Sequence, residues 1–204
     1  MTVTYEVDES LYVNMTNRCT NNCDFCIRKN GDGAYGSDPL WLEHEPGLAE
    51  TEASLFSHDL SKYREIVFCG YGEPSYRLAD ITLIIKKMRL RYPGIKTRIN
   101  TNGQSDLIYG TDTAPYFDIF DTVSISLNAP NADDYAKLCH PIYGKDAFGA
   151  ILKFASEVKK YSPSVVFSVV DTFMTEEEIA ECRKIADAAG IHLRIRAYIP
   201  SDSK

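Results

Sequence analysis

The stretch "IKTRINTNG", Ile95 to Gly103, alternates residue by residue: Ile95, Thr97 and Ile99 share one parity, and Arg98, Asn100 and Asn102 share the other. Side chains of a strand point to opposite faces in turn, so this pattern describes a strand with one apolar and one polar face. "DTVSISLN", Asp121 to Asn128, repeats it, with Val123, Ile125 and Leu127 set against Ser124, Ser126 and Asn128. Near the C-terminus "HLRIRAYI" sets His192, Arg194, Arg196 and Tyr198 against Leu193, Ile195 and Ala197. With "LYVNM" at Leu11, "EIVFCG" at Glu65 and "SVVFSVV" at Ser164, six strands are expected.

Helical patterns fill the intervals, at about 48–57, 78–92, 132–138 with 147–161, and 176–189. The last begins at Thr175, where "TEEE" offers a capping box with Glu178, and stops at Gly190. Strand followed by helix, repeated, predicts right-handed βα units and a parallel α/β sheet. Parallel strands covered by helices on both faces read as continuous apolar runs, so the polar parity calls for a face without helices. Either the sheet is flat with a solvated face, or it curls and the polar parity lines its concave side, where buried charge needs a partner or a ligand.

A chain of 204 residues fills one sizeable core, and one domain over residues 1–204 is expected. The formal charge of -7 disfavours nucleic acid and anionic lipid as partners, since both need clustered excess cations. The N-terminus lacks a basic and apolar leader pattern, and no apolar run is long enough to span a bilayer, which predicts a cytoplasmic protein. Six cysteines in a chain of this size do not read as the disulfide framework of a small secreted domain.

Three of them, Cys19, Cys23 and Cys26, form C-x3-C-x2-C directly after the first predicted strand. Structural zinc takes four closed ligands, and Cys69, His44 or His58 could supply a fourth. Three thiolates on a four-iron cluster instead leave one iron open to a ligand that is not protein. A zinc or iron-sulfur scaffold without turnover is therefore the alternative to an enzyme.

The spacing, with Phe25 before the last cysteine, resembles the radical S-adenosylmethionine (SAM) superfamily. The resemblance implies a partial, open six-stranded parallel βα barrel, a [4Fe-4S] cluster held by Cys19, Cys23 and Cys26, and S-adenosyl-L-methionine as the second cofactor. "CGYGEP", Cys69 to Pro74, resembles the family's cofactor-binding turn, which implies that Gly70, Tyr71, Gly72 and Glu73 contact the cofactor, Glu73 through its methionine ammonium. "NTNG" and "SLN" stand at the places of further cofactor contacts, implying roles for Asn102, Ser126 and Asn128. Some relatives carry Lys at the position of Asn128; a neutral amide cannot neutralise a carboxylate, which leaves that task to Arg98, Arg194 or Arg196, with Arg196 assigned here.

The segments "TNRCTNNCDFCIR", "LWLEHEP" and "SLNAPNADDYAKLCHP" are most similar to the small TatD-associated radical SAM proteins. The implied chemistry is reductive SAM cleavage to a 5′-deoxyadenosyl radical that abstracts hydrogen from a small polar or anionic substrate or a partner macromolecule. A flavodoxin or ferredoxin would deliver the electron. Cys139, His140 and Asp171 are candidate catalytic residues near strand ends, while Cys69 and Cys182 read as buried packing residues. The chain ends soon after the last strand, so no module for auxiliary clusters is expected.

Overall fold

Each of the six apolar runs forms a strand in the computed structural model, which describes residues 1–198. Ile199 to Lys204, the tail of the last apolar run and of the expected domain, lie outside the described residues. The strands are β2 (Ser10–Val13), β3 (Glu65–Phe68), β4 (Lys96–Thr101), β5 (Thr122–Ser126), β6 (Val165–Val170) and β7 (His192–Arg196). A seventh, β1 (Thr4–Val7), precedes them and pairs antiparallel with β2, while β2 to β7 pair in parallel in chain order. The expected parallel strands are thus all present, and β1 adds an antiparallel edge. The hairpin forms because Asp8 takes a left-handed φ of 51°, which an aspartate tolerates, and Tyr5 then packs beside Tyr12 with ring centroids 5.2 Å apart.

The helices are α1 (Leu48–Phe56), α2 (Leu78–Arg91), α3 (Ser105–Tyr109), α4 (Ala132–Cys139), α5 (Asp146–Val158) and α6 (Glu176–Ala189). They cover the apolar parity. Ile81, Ile84 and Met88 of α2 and Ile151, Phe154 and Val158 of α5 pack with Ile66, Ile99, Ile125 and Phe167 of the sheet in one continuous core. Each such side chain contributes about 1.5–3 kcal/mol through removal from water. At α6 both halves of the Thr175–Glu178 capping box form, and Gly190 ends the helix at φ 59°.

The opposite parity faces a cleft of about 780 Å³. Arg98, Asn100, Asn102, Ser126, Asn128, Arg194 and Arg196 all line it, so the sheet curls around its polar face and is not flat against solvent. His192 stays exposed at the start of β7. The β1 and β7 edges do not pair with each other, which leaves the barrel open. Among the described residues no helix is long and apolar enough to cross a membrane.

Candidate functional site

The loop after β2 carries the cysteines and is held by the end of α4. A helix leaves its last carbonyls without internal partners. Here the Asn22 and Asp24 amides donate to the Cys139 and Leu138 carbonyls, each at 3.0 Å, and the Ile142 amide donates to the Thr20 carbonyl at 2.9 Å. The Cys26 amide closes a turn onto the Cys23 carbonyl at 3.2 Å. Cys19, Cys23 and Cys26 are half-buried, free and all on the cleft wall, with Phe25 beside them.

Burial, followed by the nearby Glu73 charge, pushes the Cys19 thiol up to about 12, and burial raises Cys26 as well. Cys23, bonded by the Cys139 thiol, is instead lowered, so it is the Cys19 and Cys26 thiolates that call for a cation in contact, which is what a bound metal supplies. Among the described residues no three His, Cys, Asp or Glu side chains are arranged to hold a metal ion. The proposed fourth ligands for zinc are engaged elsewhere: His44 with Glu50 at 3.0 Å, and His58 with Thr4 and Tyr63 at 3.1 Å each. Cys69, expected to be packing, lies on the cleft wall instead.

The turn after β3 is laid directly on this loop. A Cβ at Gly72 would strike the Thr16 and Arg18 carbonyl oxygens, so glycine is required for the approach. The next amide, that of Glu73, donates to the Arg18 carbonyl at 2.7 Å, one residue before Cys19. Glu73 is 3% exposed. Its Oε1 accepts from the Ser75 amide at 3.1 Å and Thr101 Oγ1 at 2.7 Å, and its Oε2 accepts from the Asn102 amide at 2.7 Å. Each carboxylate oxygen has about two acceptor positions. Oε2 has a single donor among these bonds, and the carboxylate lies on the cleft wall. Burial raises the Glu73 pKa against the pull of these donors.

Gly70 abuts the Asn14 side chain, where a Cβ would collide. Tyr71, by contrast, turns outward: its hydroxyl donates to the Gly31 carbonyl at 2.8 Å, with the Gly33 carbonyl at 3.1 Å, and Trp41 packs edge-on against its ring at 5.1 Å. Its side chain therefore anchors the long segment after the cysteines, and only its backbone belongs to the turn.

At the end of β4, Asn102 Nδ2 donates to Thr20 Oγ1 at 2.7 Å and stands 3.9 Å from Cys19 Sγ. Beyond β5, Asn128 is buried at φ 55°, with Nδ2 4.0 Å from Cys139 Sγ and Oδ1 lacking any hydrogen-bond partner. Ser126 is half-buried between them on the same wall. Arg196 lines the same cleft from β7, level with Val170 of β6, with β6 between β7 and β5, and its charge acts on Cys69 and Tyr35.

The three catalytic candidates stand outside the cleft wall. Cys139 is fully buried, its thiol against that of Cys23, because α4 must bury its last turn under the cysteine loop. His140 is the exposed left-handed residue that ends α4 at φ 44°, paired with Asp24 at 2.9 Å. Asp171 opens a short 3-10 turn after β6 and accepts from the Thr172 hydroxyl at 2.9 Å. The expectation passed over a buried polar network behind the cysteines. Gln104 Nε2 bonds Asn21 Oδ1 at 2.8 Å and Tyr135 Oη at 3.0 Å, and Asn21 Nδ2 bonds the same hydroxyl at 2.8 Å. The polar run "NTNGQ" was its only signal in the sequence.

A family model described as the Radical SAM superfamily matches residues 13–186. No curated protein matches. Among solved structures, Streptococcus suis SuiB bound to its precursor peptide SuiA superposes with a TM-score of 0.66 at 19% identity, covering 94% of this chain and 39% of that one. A radical SAM methyltransferase from Sphaerobacter thermophilus gives 0.60 at 16% identity, with 98% and 70% coverage. The hydrogenase maturase HydG from Carboxydothermus hydrogenoformans gives 0.53 at 14%, with 94% and 44% coverage. The chain thus spans about two fifths of SuiB, and at these identities the likeness speaks for the fold. With the family model running from the end of β2 to the last turn of α6, the chain belongs to the radical SAM superfamily.

Proposed function

We propose that the chain is a radical SAM enzyme whose reaction on its substrate is unassigned. Cys19, Cys23 and Cys26 hold three irons of a [4Fe-4S] cluster and leave the fourth for S-adenosyl-L-methionine. When bound, this pair of cofactors supplies one-electron cleavage of SAM and a 5′-deoxyadenosyl radical that removes a substrate hydrogen, the electron coming from a flavodoxin or ferredoxin. A likeness to the TatD-associated radical SAM proteins in the cysteine loop is consistent with this.

The observation that carries the reading is a buried carboxylate on the cleft wall, Glu73, clamped by Ser75, Thr101 and Asn102 and without an ion-pair partner among the described residues. A buried acid with fixed donors and no cationic partner among the described residues suits an ammonium group. Its turn is bonded to the residue before Cys19, so acid and thiols keep a set spacing. Gly70 and Gly72 offer backbone at close range. The unpartnered Asn128 Oδ1 and the Ser126 hydroxyl await donors and acceptors of the cofactor's sugar and carboxylate. Phe25, with Phe173 at 5.8 Å and Tyr198 a further 5.2 Å beyond, forms an aromatic row beside the cysteines.

The residues act as one domain in the cytoplasm, where their thiols stay reduced. Anaerobic reconstitution tests the reading: iron and sulfide approaching four each per chain on the cluster chemistry, and 5′-deoxyadenosine formed with dithionite and SAM. Cys23→Ala should abolish both. Colourless protein with stoichiometric zinc would sink it.

A further inference from the structure

We infer that the end of the cleft under β7 is a subsite for an oxyanion, a carboxylate or phosphate of the substrate, gripped by Arg194 and Arg196. The inference rests on the radical SAM reading only in calling this anion substrate.

Three arginines enter the cleft from the polar parity of β4 and β7. Arg98 is satisfied: it bonds both oxygens of Glu65, at 2.8 and 3.2 Å, and also meets Tyr12 Oη and Asn100 Oδ1 at 3.3 Å. Arg194 has one bond, from a terminal nitrogen to Ser124 Oγ at 3.2 Å, and its Nε is buried without a partner. Arg196 likewise has a buried Nε with no partner among the described residues. Among the described residues neither forms an ion pair, although the chain carries 29 acidic against 22 basic residues. The surplus of cation at this spot is local, not compositional.

The other acids of the cleft do not answer it. Glu73 is held by its own donors at the cysteine end, and Asp8 and Glu9 are exposed in the β1–β2 turn. Burial, then the like charges of Arg98 and Arg196, weaken the hold of Arg194 on its proton. Unpaired guanidinium in a partly buried site is costly, and an arriving anion relieves that cost. The two arginines are alternate residues of one strand, about 6.6 Å apart along it, a span that two or three oxygens of one group can bridge with charge-assisted bonds. Tyr35 stands over them from the loop after the cysteines. Measured along the sheet, β7 lies two strand spacings, about 9.6 Å, from the β5 that leads to Asn128.

Isothermal titration calorimetry on the purified full chain tests this, with inorganic phosphate and succinate as probes and chloride as control. At least one probe should bind tenfold or more above chloride, and its affinity should fall tenfold or more in Arg194→Met and in Arg196→Met. Glu65→Gln should strengthen it severalfold, since Arg98 then loses its carboxylate. Preference for phosphate assigns a phosphoryl group, and preference for succinate a carboxylate. Equal binding by wild type and the double arginine variant, or no binding of either probe, overturns the subsite. If the arginine variants do not fold, unchanged affinity in Glu65→Gln overturns it too. Iron content and 5′-deoxyadenosine yield on the same preparations report separately on the cysteine loop: anion binding without SAM cleavage keeps the subsite and removes its designation as substrate-binding, whereas cleavage without anion binding keeps the radical SAM reading and overturns the subsite.

Discussion

Glu73 Oε2 accepts the Asn102 amide at 2.7 Å, which fastens the turn after β3 to the end of β4. In Glu73→Gln either orientation of the amide sets an N–H donor against a backbone donor, that of Asn102 or of Ser75. The variant should lose about 1–3 kcal/mol of stability in urea denaturation. Its affinity for SAM should fall at least tenfold by equilibrium dialysis, and retention of wild-type affinity would remove Glu73 from the cofactor site.

Gly72→Ala and Gly149→Ala should have opposite signs. At Gly72 the new methyl meets fixed backbone oxygens, and overpacking of this kind costs about 1–3 kcal/mol. At Gly149, inside α5, nothing lies within 4 Å of a built Cβ, and the change should stabilise by about 0.5–1 kcal/mol. Thermal unfolding of the pair checks both.

Asp121 governs part of the acid limb. Burial would raise its pKa, but bonds from Lys96 at 2.9 Å and the Thr97 amide at 2.9 Å outweigh this and hold it below the usual carboxylate value. A depressed folded-state pKa gives stability that is present above the unfolded value, near 3.9, and lost as pH falls through the folded one. Asp121→Asn should therefore cost about 1 kcal/mol at neutral pH and flatten the loss of stability below about pH 4. Urea midpoints measured from pH 3 to 7 read the slope.

Tyr71→Phe removes the hydroxyl that reaches the Gly31 and Gly33 carbonyls. The expected cost is about 1 kcal/mol, felt locally. Amide exchange between Asp32 and Leu40 should quicken several-fold, while exchange in β4 and β5 stays as in the wild type.

The parallel sheet was legible because strand and helix repeat in turn, and its wet face because polar residues recur at alternate positions of β4, β5 and β7. The Thr175 cap was legible because capping is local. β1 was not, since "TYEV" has only four residues and its turn rests on Asp8 in a left-handed conformation instead of an Asn-Gly signal. α3, five residues long, leaves too short a period to detect. At the site, the cysteines and glycines were readable because their chemistry or size admits few substitutes. The reach of the Tyr71 hydroxyl to the loop after the cysteines, the burial of Cys139 and the place of Arg196 on β7 beyond β6 depend on which strand lies beside which, and residue spacing alone does not encode that.

Asn128 bends the chain at φ 55°, a geometry that asparagine adopts readily and that costs a lysine about 1–2 kcal/mol. Replacing the amide with the long cationic side chain some relatives use would thus distort the corner it was meant to serve. Evolution at this locus is confined by backbone shape before ligand preference is consulted, so a mutant library at position 128 should enrich for Asn, Asp and Gly even when only folding is selected.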